Sequence, residues 1–125
     1  MRALVVDDSR AARAILKKLL RENGYEEIIE AENGLEGLVR LKRADDIPDL
    51  VLVDWNMPEM DGLEFIKRVR SEDTYSGTLV MMVSSETDTA KVTQALDAGA
   101  NEYLMKPFES DGLGEKLRLL RPDAD

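Results

Sequence analysis

Three aspartates, a serine and a lysine are the residues of this 125-residue chain whose types and positions could do chemistry together. Asp7 and Asp8 follow the apolar run 3–6, Asp54 follows 50–53, Ser84 follows 79–83 and Lys106 follows 103–105. Taken singly, an aspartate after a strand is a turn former or a helix cap, a serine is a cap, and a lysine is a solvated charge. Taken together, four apolar runs each end in a residue suited to handling a metal and a phosphoryl group. Two carboxylates about 5 Å apart repel by roughly 3 kcal/mol at an effective dielectric near 20. Three in one place would destabilise a fold or raise a carboxyl pKa, and one lysine offsets only part of that. A divalent cation with oxygen ligands offsets it fully, and Mg2+ suits carboxylates, water and a phosphate. The chemistry expected is Mg2+-dependent transfer of a phosphoryl group to a carboxylate, with Lys106 pairing with a phosphoryl oxygen.

What the chain lacks narrows the options. It has no cysteine and no histidine. Disulfide frameworks, thiol nucleophiles, cysteine or histidine zinc sites and Ser-His-Asp constellations are therefore excluded. With 26 acidic and 17 basic residues the net charge is −9. Such a surface is repelled by nucleic-acid phosphates and anionic lipid, and favours cations or basic partner surfaces. The longest apolar stretch, 79–83, is far too short to span a bilayer. Residues 1–6 run directly into Asp7 and Asp8, unlike a signal peptide. A cytoplasmic protein with no direct contact to nucleic acid or membrane is expected.

Positioning these residues requires a frame. Apolar runs at 3–6, 28–31, 50–53, 79–83 and 103–105 are too short for helices, and most are rich in Val, Leu and Ile. The first, third and fourth do not alternate, the habit of strands buried on both faces of a parallel sheet. Helical stripes lie between them. Ala12, Ile15, Leu16, Leu19 and Leu20 form one, with Ser9 as N-cap and Gly24 as stop. Leu35, Leu38 and Val39 form a second, and Leu63, Ile66 and Val69 a third. Val92, Ala95, Leu96 and Gly99 form a fourth, preceded by Ser85-x-x-Asp88 in the pattern of a capping box. Leu113, Leu117 and Leu120 form the last, weakened by Gly112 and Gly114. Five strand–helix units predict an α/β domain, a parallel sheet with helices on both faces, over 1–120 with a short polar tail at 121–125. In an open sheet of this kind, ligands bind beyond the carboxyl ends of the strands, where the five residues would meet. Met57, Met60, Met81, Met82 and Met105 are expected to pack, and Gly62 to allow a turn.

Several segments resemble the receiver domains of two-component response regulators. They are Val5-Val6-Asp7-Asp8-Ser9, Val53-Asp54-Trp55-Asn56-Met57-Pro58-Glu59-Met60-Asp61-Gly62, Met82-Val83-Ser84, Gly99-Ala100 and Lys106-Pro107-Phe108. Each is weak alone; in this order and spacing they are highly specific, and they cover nearly the whole chain. Asp54-Trp55-Asn56-Met57-Pro58 and Tyr103 are most similar to the family's stand-alone chemotaxis members. The resemblance implies a (βα)5 doubly wound, flavodoxin-like fold with strand order 2-1-3-4-5. It implies that Asp54 accepts a phosphoryl group from a phosphohistidine on a partner histidine kinase or phosphotransfer protein. Asp8, Asp54 and the backbone carbonyl of Asn56 would ligate Mg2+, with Asp7 holding it through water. Lys106 and Ser84 would contact the phosphoryl group. Serine lacks the β-branch that stiffens χ1, so the switch would be less sharply defined than with threonine. The Lys106-Pro107 bond would be cis.

The resemblance also implies a switch. Ser84 would move toward the phosphoryl group, Tyr103 would turn inward, and the face made by the fourth helix, fifth strand and fifth helix would change for a downstream protein target. From the residues alone, Tyr103 reads equally as a half-buried strand aromatic with a wet hydroxyl. Asn56 and Glu86 would set how fast water removes the phosphoryl group, giving a short-lived signal. Glu86 also suits the first turn of a helix. The protein would catalyse only its own phosphorylation and dephosphorylation. A monomer is expected, with dimerisation on phosphorylation left open. Three alternatives stand beside this reading: a receiver module cut from a longer response regulator, an aspartyl-phosphate phosphatase, and a flavin carrier of the same topology. Asp54-x-Asn56 resembles the phosphatase nucleophile only faintly, and Asp7-Asp8-Ser9-Arg10 would repel a flavin phosphate unless a cation intervened.

Overall fold

The structure is a computed structural model and describes residues 1–121. Five strands and five helices alternate. They are β1 (Arg2–Val6), α1 (Arg10–Glu22), β2 (Glu27–Ala31), α2 (Gly34–Arg43), β3 (Leu50–Val53), α3 (Gly62–Arg70), β4 (Leu79–Ser84), α4 (Thr89–Ala98), β5 (Glu102–Met105) and α5 (Ser110–Leu120). A 3-10 turn at Asp73–Tyr75 precedes β4. All strands pair in parallel, in the order β2-β1-β3-β4-β5, as the family resemblance implies.

The central strands explain their own sequences. Every residue of β3 is buried, and so are 3–6 of β1 and 80–84 of β4. Successive side chains point to opposite faces, so one face receives Leu4, Val6, Val51, Val53, Val80 and Met82. Phe65, Ile66 and Val69 of α3 cover it. The other face receives Ala3, Val5, Leu50, Leu52, Met81 and Val83, covered by Leu16 and Leu20 of α1 and Leu113 and Leu117 of α5. Burying each Val or Leu is worth about 1.5–3 kcal/mol. Continuous apolar runs are thus what two cores require of one strand.

Caps set the helix starts. Ser9, Asn33, Asp61 and Asp88 each accept a bond from a backbone N–H of the first turn, at 2.8–3.2 Å. For α4 the cap is Asp88 itself, bonded to Ala90 N, so Ser85-x-x-Asp88 is not a capping box. The helical stripes also needed correction. Ile15 is 57% exposed, and Arg13 is buried in its stead. Leu35 and Val39 face outward, while Gly34, Gly37 and Leu41 make the inner face of α2. A Cβ at Gly37 would stand 2.7 Å from the Phe65 ring, so glycine is what lets α2 approach. Leu96 and Met105 are exposed rather than packed. α5 forms over its full length despite Gly112 and Gly114, because Leu113 and Leu117 dock on the sheet and tertiary burial outweighs local propensity.

Of the expected tail, residues 122–125 lie outside the described residues. Arg121 is held, donating to the carbonyl of Asp49 at 3.0 Å.

Candidate functional site

The sheet order creates the site. The connection leaving β1 runs to β2 on one side and the connection leaving β3 runs to β4 on the other, opening a crevice at the carboxyl ends of β1 and β3. Asp7 and Asp8 follow β1, and Asp54 follows β3. Their carboxylate oxygens lie within 4.8 Å of one another. Asp7 is 1% exposed and Asp8 is exposed. Ser84 ends β4, buried, and Lys106 follows β5, so the five residues from four strand ends converge on one edge of the sheet.

Lys106 is the cation of this pocket. Its Nζ is 2.9 Å from Asp7 Oδ2 and 3.7 Å from Asp54 Oδ2. Asp7 Oδ1 accepts from Ser9 N, and Asp54 Oδ1 accepts from Trp55 N at 2.7 Å. Burial pushes the Asp54 carboxyl above its ordinary range; Lys106 pulls it back, while Asp7 and Asp8 push it further up. Three carboxylates and one ammonium leave two formal negative charges. The donor set is entirely oxygen. Residues of this kind fit a hard divalent cation such as Mg2+, which cancels that excess. The Lys106–Pro107 bond is cis.

Ser84, Glu86 and Tyr103 form a chain of contacts. The backbone N–H of Glu86 donates to Ser84 Oγ at 3.2 Å, and the Tyr103 hydroxyl donates to the Glu86 carbonyl at 2.7 Å. Tyr103 is therefore inward, 5% exposed, and the reading with a wet hydroxyl does not hold. Burial raises its pKa. The Glu86 side chain accepts from Asn56 Nδ2 at 3.2 Å. Asn56 and Glu86, thirty positions apart in sequence, thus touch.

Three features of this region escaped the sequence. The ammonium of Lys91, on α4, lies 4.9 Å from the centre of the Trp55 ring; nothing in its spacing pairs it with Trp55. The guanidinium of Arg13 donates to the Asp7 carbonyl at 2.7 Å. An arginine three positions before Leu16 on the inner side of α1 was the available signal. Gly62 is not a turn residue of positive φ. A Cβ there would stand 2.1 Å from the carbonyl oxygen of Asp54 and 3.0 Å from Trp55 Cα, while its N–H bonds Trp55 O at 2.8 Å. Gly62→Ala is expected to cost about 3 kcal/mol, because rigid backbone on both sides must yield. Urea unfolding checks it, and an unchanged midpoint would show that the loop relaxes freely.

Comparison with known proteins comes to the same region of fold space. The family described as Response regulator receiver domain matches residues 3–118. The chain is 45% identical over 117 residues to a chemotaxis protein CheY homolog of Campylobacter jejuni, covering 94% of this chain and 89% of that protein. The chemotaxis response regulator CheY4 of Vibrio cholerae superposes with a TM-score of 0.85 at 34% identity, over 95% of this chain and 97% of that one. A CheX-CheY-BeF3-Mg2+ complex from Borrelia burgdorferi gives a TM-score of 0.89 at 25% identity, over 96% of this chain and 88% of that one.

Proposed function

We propose that this chain, which belongs to the response regulator receiver domain family, is a switch in which Asp54 accepts a phosphoryl group from a phosphohistidine on a partner kinase or phosphotransfer protein. Receiver domains of this kind are switches in phosphorylation-dependent signalling rather than conventional enzymes. The observation that carries the site assignment is the clustering of three carboxylates, two of them paired with Lys106, at the sheet's switch point. The donor must be external, since the chain has no histidine.

Asp54 supplies the attacking oxygen. A P–O bond forms as the P–N bond to the donor imidazole breaks, and the departing ring nitrogen takes a proton from water. Lys106 pairs with one phosphoryl oxygen, and the Ser84 hydroxyl donates to another. Mg2+, held by Asp8, Asp54 and the Asn56 carbonyl with Asp7 behind a water, would draw charge from the phosphoryl oxygens. The Borrelia burgdorferi complex, which holds both BeF3 and Mg2+, supports that role. Water later attacks phosphorus, the P–O bond to Asp54 breaks, and inorganic phosphate leaves. Asn56 and Glu86 govern that water; their 3.2 Å contact is consistent with joint action.

Readout runs from Ser84 through the Glu86 backbone to Tyr103, and so to the face of α4, β5 and α5. Those elements carry exposed Leu96, Met105 and Leu119 respectively, apolar surface that a protein partner could cover. No helix among the described residues is long and apolar enough to cross a membrane.

Trp55, the only tryptophan, adjoins Asp54 and reports on the pocket. Its fluorescence is expected to fall on addition of Mg2+ and to change again with acetyl phosphate or beryllofluoride. Saturable binding of Mg2+ with no mass gain of one phosphoryl group on incubation with acetyl phosphate would overturn the acceptor role.

A further inference from the structure

We propose that Arg13 is a positioning residue for the divalent-cation pocket, acting through the backbone of Asp7; this rests on the reading of that pocket given above. Arg13 lies on α1, whose inner face is otherwise apolar, yet its side chain is only 9% exposed. Ordering and desolvating a guanidinium is costly unless it is bonded. Here it is bonded at both ends. Nη1 donates to the Asp7 carbonyl at 2.7 Å, and Nε donates to Glu30 Oε1 at 3.0 Å. The other oxygen of Glu30 is held by Lys17 Nζ at 2.9 Å. Glu30 belongs to β2, so the bracket ties α1 and β2 to the end of β1.

The Asp7 carbonyl is not an ordinary target. It belongs to the peptide joining Asp7 to Asp8, and that unit is planar. Gripping its oxygen sets the plane of the peptide, and with it the direction in which Asp8 leaves the strand. Two carboxylates on adjacent residues tend to point apart, as alternate side chains do in extended backbone. Bringing both to one cluster with Asp54 requires the chain to turn at this peptide. Asp7 is held from every polar atom: its N–H by the Ala31 carbonyl, its Oδ1 by Ser9 N, its Oδ2 by Lys106, and its carbonyl by Arg13. Groups behind metal ligands commonly orient them in this way. Lysine would substitute only in part, since a single ammonium lacks the planar fork that reaches a carbonyl and a carboxylate in fixed geometry.

The test compares Arg13→Gln and Arg13→Lys with Leu19→Ala, a buried position on the same helix whose side chain offers Asp7 no hydrogen bond. Mg2+ dissociation constants are measured by Trp55 fluorescence and calorimetry, with urea midpoints alongside. Arg13→Gln is expected to raise the Mg2+ dissociation constant about 10-fold, Arg13→Lys about threefold, and Leu19→Ala to lower the midpoint while leaving the constant unchanged. Should Arg13→Gln not fold, Arg13→Lys decides by the same criterion. A constant within about twofold of the parent in the folded arginine variants, or an equal rise in Leu19→Ala, would overturn the positioning role. A parent chain that binds no Mg2+ overturns the reading of the pocket itself, and this role with it.

Discussion

Asp54→Asn is expected to take up no phosphoryl group from acetyl phosphate, and yet to be more stable than the parent chain when no divalent cation is present. The first effect is a loss of the attacking oxygen: a neutral amide is no nucleophile toward phosphorus, and loss of labelling by intact mass should be complete. The second follows from charge. Asp54 is crowded by Asp7 and Asp8, and burial already holds its carboxyl above the ordinary range. An acid whose folded pKa is raised binds its proton more tightly when folded. Its contribution to stability is therefore present in acid, below the ordinary carboxylate value, and is lost as pH rises through the raised value. Above that raised value the parent carries the ionised, repelling form and the variant does not. A gain of about 1 kcal/mol is expected, a figure discounted for the solvent that still reaches the group. Mg2+ should reverse the order. A ligand at a hundredfold excess over its dissociation constant stabilises by about 2.7 kcal/mol, and the variant, short of one carboxylate, gains less. Urea curves with and without Mg2+ check both halves. A variant less stable than the parent in both conditions would mean that Asp54 is satisfied by its own bonds and carries no stored repulsion.

Lys106→Ala should produce the opposite ledger. Lys106 is the cation paired with the Asp7 and Asp54 carboxylates, and the Asp7 side chain is 2% exposed. Removing one partner of a buried ion pair costs about 3–5 kcal/mol. The lysine is itself 26% exposed, so water replaces part of what is lost and about 2 kcal/mol is expected. Without Lys106, the chief influence lowering the Asp54 pKa disappears. That carboxyl rises further, so the penalty is small in acid and grows as pH increases through the carboxylate range. Mg2+ should recover much of the stability, since it supplies the missing positive charge. It should not recover the response: with no ammonium to meet the phosphoryl oxygen, Trp55 fluorescence would report Mg2+ while the beryllofluoride change is reduced. A pH-independent penalty would show that Lys106 acts through the packing of its methylenes rather than its charge.

The pairing of these outcomes separates electrostatics from architecture. Asp54→Asn and Lys106→Ala move stability in opposite directions, though both remove one charge from the same pocket. Gly62→Ala, by contrast, should be insensitive to Mg2+ concentration and pH, because a methyl group against the Asp54 carbonyl is a steric matter.

Much of this was determined by the sequence alone. The alternation of strand and helix, the buried character of β1, β3 and β4, and the residue types at four of the strand ends are all local properties, legible because hydrophobic period follows backbone geometry. Ser9 caps α1 as its residue type demands. The strand order, which periodicity cannot supply, was implied only by the resemblance to receiver domains. Tertiary structure alone decided which side of each helix is inside. Ile15 faces solvent while Arg13 is buried, because the carbonyl of Asp7 and the carboxylate of Glu30 await a donor at that spot. Leu35 and Val39 point outward, because α2 must approach Phe65 so closely that only glycine fits. The link from Ser84 to Tyr103 runs through the main chain of Glu86, whose N–H and C=O carry no signature of residue type. Such facts depend on distances between segments remote along the chain. Packing and the requirement that buried polar groups find partners settle them, and neither is encoded in a local pattern.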